Sequence, residues 1–311
     1  MVGGMVGSMV GSMVGSMVES PIIFDRLLWR RRRHRAAALP PATFLLERVA
    51  AELADRLSTV LRRFELVLDL GTPGDAVRAA LRRSRSLGTV VGVDVFARDK
   101  PFVVADEEAL PFGDGTIDLV VSALALQFVN DLPGVFLQIR RALKPDGLFL
   151  AALFGGDTLT ELRQSFAAAE SEVEGGASPH VAPFVELREL GGLLQRAGFA
   201  LPVTDVERVT VRYASAFDLM QDLRRMGATN SLASRRRTPL RRTTLMRMAE
   251  IYAQRFADAD GRIRCTFDIV WLSGWAPHPD QQQPLKPGSA KARLADALGA
   301  REVSAGEKAG R

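Results

Sequence analysis

The sequence predicts an α/β fold: a mostly parallel sheet with helices on both faces. Two observations carry this. Short apolar runs recur along the chain between segments of helical period, and glycine or proline signals punctuate the joints. Phe44 to Arg63 places Leu45, Leu46, Val49, Leu53 and Leu57 on one helical face. LVLDLG (66–71) is then an apolar run ended by glycine, as a buried parallel strand requires. Asp75 to Arg85 reads as a helix, and Thr89 to Val95, Phe102 to Ala105 and Thr116 to Ala123 read as strands two to four. Asp131 to Leu143 is a helix closed by Lys144-Pro145-Asp146-Gly147, and Leu148 to Leu153 is the fifth strand. Thr158 to Glu174 and Val185 to Arg196 read as helices, Thr204 to Tyr213 alternates as a strand, Phe217 to Met226 and Leu240 to Phe256 read as helices, and Arg262 to Trp275 as a closing strand.

The chain has 311 residues, 47% hydrophobic and 25% charged, which suits a sizeable core. Lys and Arg number 41 against 36 Asp and Glu, a net +5 that is too local to argue for a nucleic-acid partner. One cysteine, Cys265, excludes an internal disulfide and a Cys-cluster zinc site and fits a reducing, cytoplasmic setting. No apolar run of about 18 residues is present, so no transmembrane helix is expected. Residues 1–20 repeat MVGG/MVGS without a charged start or an unbroken apolar run, and read as a low-complexity tail rather than a signal peptide; Met17 would serve equally as a start. Residues 21–64 are read as a basic arm and helix, 65–155 as the core and 156–276 as a helical substrate cap plus terminal strands. The cap's helices, an insertion after strand five, are expected to roof the crevice. Residues 277–311, rich in Pro, Gln, Ala and Gly, are expected to be disordered.

Right-handed crossovers put every parallel strand's C-terminal end on one edge, where ligands of such sheets bind. Gly71, Asp94, Asp106 and Ser122 fall at or just after strands one to four. Gly71 lets backbone approach a ligand, and the helix start behind it favours an anion. Asp94 suits a pair of ribose hydroxyls, or equally a helix cap. Asp106 suits an exocyclic adenine amine, or a solvated acidic loop.

These pieces, VLDLG, VVGVD, ADEEALPF, GTIDLVVSALAL and LKPDG, resemble the Rossmann-like class I S-adenosylmethionine-dependent methyltransferases over about residues 65–155. FDRLLWRRRRHRAA, ELADRL, FVNDLPG, LFGGDTLTELRQS, EGGASPHVAPF, LLQRAGF and WLSGWAPH narrow the resemblance to the mitochondrial complex I assembly factor 5 family and its alphaproteobacterial relatives, from about residue 22 to 278. The malonyl-acyl-carrier-protein methyltransferases are a more distant likeness. The resemblance implies an S-adenosyl-L-methionine site at Asp69, Gly71, Gly74, Asp94, Asp106, Glu107 and Ser122, a protein substrate such as a complex I subunit, and action in the cytoplasm beside the inner membrane or, in an organelle, in the matrix. Its mitochondrial member is implied to hydroxylate an arginine rather than methylate it. One departure stands out. Where the family has a Gly-Cys-Gly-x-Gly-like turn, this chain has Gly71-Thr72-Pro73-Gly74-Asp75. Pro73 removes an N–H donor, and Asp75 sets a carboxylate near the ligand's own unless it points away.

Three functions follow from these residues: a methyltransferase-class enzyme acting on protein, an arginine hydroxylase on the same fold, and a non-catalytic assembly factor with a degenerate site. A sulfonium donor is already activated, so methyl transfer needs alignment and at most a base. Gln127, Asn130 and Asp157 are catalytic candidates by position, although Asn130 and Asp131 also fit a helix cap. His34, His180 and His278 stand far apart in the chain and outline no two-histidine iron site; His180, in the SPH segment, is the one histidine to test, against an ordinary structural role. Arg26 and the Arg30–Arg35 run, with Arg235–Arg237, Arg241 and Arg242, suggest contact with an anionic membrane surface or an acidic protein, or a solvated face; no aromatic-interleaved RNA motif accompanies them, which disfavours nucleic acid.

Overall fold

The computed structural model describes residues 22–281 and Gly299. The repeat of residues 1–20 and most of the expected C-terminal tail lie outside them. In the unit spanning residues 278–311, the Asp280 N–H donates to His278 Nδ1 at 3.1 Å. The larger unit ends at Pro277.

Alternation along the buried strands builds two cores. In β1 (Phe64–Leu70), Val67 points to one face while Leu68 and Leu70 point to the other, and in β4 (Ile117–Ala123) Leu119 and Val121 oppose Val120. With β2 (Leu87–Asp94), β3 (Phe102–Val104), β5 (Leu143–Gly155), β6 (Ala200–Tyr213) and β7 (Ile263–Trp275), they form one sheet of order β3-β2-β1-β4-β5-β7-β6. β1 to β5 pair in parallel; β7 runs antiparallel between β5 and β6.

Helices α2 (Phe44–Ser58), α3 (Ala76–Leu81), α5 (Thr160–Glu174), α7 (Ala216–Arg225) and α8 (Arg242–Phe256) contribute to the core on one face. On the other face lie α4 (Leu132–Ala142) and α6 (Leu187–Arg196). The expected cap therefore divides. Leu190, Leu193 and Leu194 of α6 are buried with Val135, Phe136 and Ile139 of α4, so α6 covers the sheet instead of roofing the crevice. Among the described residues no helix is long and apolar enough to cross a membrane.

Several boundaries move, among them the end of the helix expected over Asp75 to Arg85, which falls at Leu81. The helix expected to Arg63 stops at Ser58, because β1 already begins at Phe64. Lys144-Pro145-Asp146-Gly147 ends α4 but also belongs to β5, with Asp146 at φ +62 and a register shift opposite it between Ile117 and Leu119. β6 starts at Ala200, four residues early, because β7 pairs with it from Trp275 onward.

The largest difference is N-terminal. Arg26–Ala36 is a helix, α1, capped by the Asp25 carboxylate, which accepts the Leu28 N–H at 2.9 Å. Its Trp29 is 1% exposed. Asn130 ties down the residues before it: its Oδ1 accepts from Ile23 N (2.9 Å) and Phe24 N (2.7 Å).

Candidate cofactor crevice

The sheet reverses its winding between β1 and β4, so a crevice opens beyond their carboxyl ends. Gly71 enters it with φ +70. A Cβ there would meet Glu107 Oε1 at 2.8 Å and the Ala125 Cβ at 3.0 Å, so both conformation and space demand glycine. Gly74, at φ +75, has open space beside it. Thr72 Oγ1 accepts the Ala123 N–H at 3.0 Å and locks the turn to β4. Asp75 pairs with the buried Arg78 guanidinium, and its mostly exposed side chain borders the same space as Gly74. Pro73 lines the cavity described below and offers it no N–H.

Asp69 is buried beneath this turn. Burial pushes its carboxyl up to about 7, against the Thr72 hydroxyl and the Arg78 guanidinium, and its Oδ1 has no hydrogen-bond partner. Ser122 donates to Leu70 O at 2.8 Å; it staples β4 to β1 and turns its hydroxyl into the sheet.

The acids at the ends of β2 and β3 meet the basic helix. Asp94, 1% exposed, takes a two-pronged bond from Arg33, Nη1 to Oδ1 at 3.0 Å and Nη2 to Oδ2 at 2.6 Å. Arg98 reaches Oδ2 at 3.4 Å. Arg26 donates to Asp106 at 2.6 Å and to Glu107 Oε2 at 2.7 Å, and Arg30 also bonds Asp106. Burial raises the Glu107 carboxyl above its usual value despite Arg26 and Arg33, and its Oε1, facing Gly71, has no hydrogen bond. Burial works on Asp106 as well, but the Glu108 N–H and Arg26 and Arg30 hold it below its ordinary value. Trp29 lies between two cations, with Arg26 4.3 Å and Arg33 4.8 Å from its ring.

This corrects the reading of Arg30–Arg35 as a free membrane or protein contact. Arg30 and Arg33 pair with crevice acids and Arg32 donates to Asn230 O, which leaves Arg31 and Arg35 exposed. The helix, together with the turn at Met226–Ala228, supplies the roof. Gly227 packs so tightly under α1 that a Cβ would lie 3.2 Å from Arg33 Cγ.

Beneath the roof is a cavity lined by Trp29, Arg33, Gly71, Leu124, Gln127 and Phe154 among others. A second, wider space on the other side of Arg33 is bordered by Gly74, Phe96 and Arg98. Asp94 lines neither; Arg33, which lines both, and Arg98, which borders the second, lie against its carboxylate. The residues suit a nucleoside in chemistry: a glycine cradle, a carboxylate at the end of β2 and an orphaned, buried acceptor on Glu107. At the methionine end Pro73 subtracts a donor.

Of the catalytic candidates, Gln127 faces the inner cavity; its Nε2 donates to Leu124 O at 2.8 Å and its buried Oε1 has no partner. The other three have structural partners. Asn130 holds residues 23–24. Asp157 pairs with Arg208 at 2.6 Å. His180 bonds Glu170 at 2.9 Å and stacks on Phe166 with ring centroids 4.0 Å apart. Sequence reasoning missed Arg26 and Arg33 as crevice residues, although their 26/30/33 spacing already puts them on one helical face.

The sheet order, the crevice at its switch point and the acids at the ends of β2 and β3 define a methyltransferase fold. Residues 30–202 match the model of a methyltransferase-domain family. The human mitochondrial protein named arginine-hydroxylase NDUFAF5 is 41% identical over 281 residues, which cover 86% of this chain and 81% of that one. The malonyl-[acyl-carrier protein] O-methyltransferase of Laribacter hongkongensis is 35% identical, covering 82% and 90%. The crystal structure of the YcgJ protein of Bacillus subtilis, 16% identical, superposes with a TM-score of 0.50 over 73% of this chain and 98% of that one, a likeness of fold alone. The chain belongs to the methyltransferase-domain family, within the group of the mitochondrial NDUFAF5 proteins.

Proposed function

We infer that the chain binds S-adenosylmethionine in the crevice beyond β1 and β2 and modifies a protein side chain delivered to the cavity beside Gly71. The observation that carries this is the grouping of Gly71, Asp94 and a Glu107 Oε1 that makes no hydrogen bond around the one guanidinium of Arg33. When bound, the sulfonium supplies an activated methyl group. The chain's own residues do the rest. Gly71 admits the ligand against the backbone. Asp94 accepts the ribose hydroxyls once the Arg33 guanidinium leaves its two oxygens. Glu107 Oε1 accepts a donor of the ligand. Gln127 Oε1 accepts an N–H of the substrate and orients it, and the roof of α1 and Met226–Ala228 excludes water.

The relatives named mitochondrial arginine-hydroxylase make an arginine the substrate we put first, with hydroxylation, which needs an oxidant such as dioxygen, as its modification. That the process served is complex I assembly, in the cytoplasm beside the inner membrane or in an organelle's matrix, is our reading from the sequence motifs. Methyl transfer is the second reading, favoured by the family model and by the fitted nucleoside half. The intact mass of the modified substrate separates them: about +16 Da for hydroxyl and about +14 Da for methyl, values set by covalent chemistry. Calorimetric titration with S-adenosylmethionine tests the crevice itself. Asp94→Ala is expected to weaken binding by about 1–3 kcal/mol through lost charge-assisted bonds. Unchanged affinity would remove Asp94 from the site, and no heat of binding in the unaltered protein would leave the non-catalytic assembly role.

A further inference from the structure

Two more cavities lie outward from the inner one, each sharing a wall with the last. The middle cavity shares Phe128, Phe154 and Ala228 with the inner cavity. The outer one shares His180 and Asn230 with the middle cavity. Buried polar atoms without partners mark this line: Gln127 Oε1 in the inner cavity, and Ser231 Oγ, on a residue 2% exposed, in the middle one. An orphaned polar atom on a cavity wall is a place for a ligand's polar group.

The outer cavity has the opposite charge to the nucleoside crevice. Arg32, Arg235, Arg236 and Arg237 wall it, with Asp25 the one carboxylate in its lining. Asp25 takes Arg235 at 3.2 Å, and Glu174, from behind, takes Arg236. Four guanidinium groups less three carboxylates (Asp25, Glu174 and Glu170, the last 3.8 Å from Arg236) leave a charge of +1. His180 bonds the other side of this cluster through Glu170. Arg237 is exposed, with no ion pair or hydrogen bond among the described residues. Burial and the neighbouring Arg235 and Arg35 pull Arg32 below its ordinary pKa, as a surplus of cations does.

We propose that this arginine-walled cavity docks the carboxylates of an acidic segment of the protein substrate, and that the three cavities form the path by which the substrate's reacting side chain passes from it to Gly71. The proposal rests on the preceding reading for its inner end. A folded protein's acidic segment fits better than a membrane surface. The guanidinium groups converge on a hollow rather than a plane, and the arm's aromatics, Phe24 and Trp29, are buried and cannot insert into lipid. Arg235 and Arg236 are already held in place by their carboxylates, so docking orders few side chains.

The test uses the full chain and a fluorescein-labelled octaglutamate peptide, read by anisotropy at fixed salt, beside vesicles of phosphatidylcholine with phosphatidylserine. The peptide is expected to bind, and Arg32→Gln with Arg237→Glu to weaken it about tenfold or more. Arg241→Glu with Arg242→Glu, outside the cavity lining, is expected to change it less than about twofold. Calorimetry with S-adenosylmethionine is expected to give the same affinity in both variants. Peptide affinity that falls equally in the two variants, or survives in the first, overturns the proposal. So does vesicle binding with that residue dependence while the peptide stays free. Loss of cofactor binding in the unaltered protein with the peptide result intact would sink the crevice reading and leave the docking site standing.

Discussion

Replacing Arg33 by methionine probes the contact on which the crevice turns. The Arg33 and Asp94 side chains are 9% and 2% exposed, and their two bonds measure 3.0 and 2.6 Å. Removing one partner leaves a buried carboxylate with only Arg98, at 3.4 Å, and such losses cost about 3–5 kcal/mol. The contacts of Arg33 with Trp29 and Phe96 add roughly 0.5–1 kcal/mol each. At roughly 2–4 °C per kcal/mol for a chain of this size, Tm is expected to fall on the order of 10 °C. Cofactor affinity is expected to move the other way. Arg33 occupies both Asp94 oxygens, so on the reading proposed above the unaltered protein breaks this pair when ribose binds. The variant is spared that step, and S-adenosylmethionine is expected to bind about tenfold tighter, a gain of about 1.4 kcal/mol. Differential scanning fluorimetry with and without ligand, beside calorimetry, reads both numbers. Equal or weaker binding in a folded R33M protein refutes the exchange and makes Arg33 a fixed part of the ribose site.

Two further outcomes follow from the same geometry. Asp69, raised by burial from 3.8 to about 7, keeps its proton in the fold at pH values below that. A group raised in this way contributes stability that is full below about pH 4 and is lost as pH climbs through 7. Between pH 5.5 and 8 its share falls by about 2 kcal/mol, so a urea-midpoint series is expected to decline more steeply in the unaltered protein than in Asp69→Asn; parallel curves would show that the carboxyl is already ionised. Gly227→Ala combines φ +72 with a Cβ 3.2 Å from Arg33 Cγ. It is expected to cost about 1–3 kcal/mol and to speed tryptic cleavage within α1, and an unchanged cleavage rate would show that the turn does not seat the helix.

The sheet was legible because β1 and β4 are buried on both faces and β2 at its carboxyl end, so LVLDL, TVVGVDV and TIDLVVSA appear as unbroken apolar runs. The acids at the ends of β2 and β3 were legible from topology. Helix α1 was not. RLLWRRRRHRA has almost no apolar face, and long side chains that bury their stems while aiming charge at carboxylates look, to a periodicity argument, like a solvated surface. The direction of a short side chain is equally hidden from sequence. Ser122 and Asp75 stand where a ligand contact is expected, yet each finds a nearer partner, in Leu70 O and Arg78. Helix α6 escaped for another reason. Its leucines show that a face is buried, but what covers that face is settled by the chain reversing into β6 and β7.

The antiparallel β7 has a consequence for biosynthesis. It lies between β5 and β6, hydrogen-bonded to both, although it is the last of these strands to be made. While the ribosome still holds residues 263–275, β6 has no neighbour and the long edge of β5 stays open. Final closure therefore waits for late translation, and a nascent chain cut short before Ile263 exposes two unpaired strand edges to chaperones and proteases.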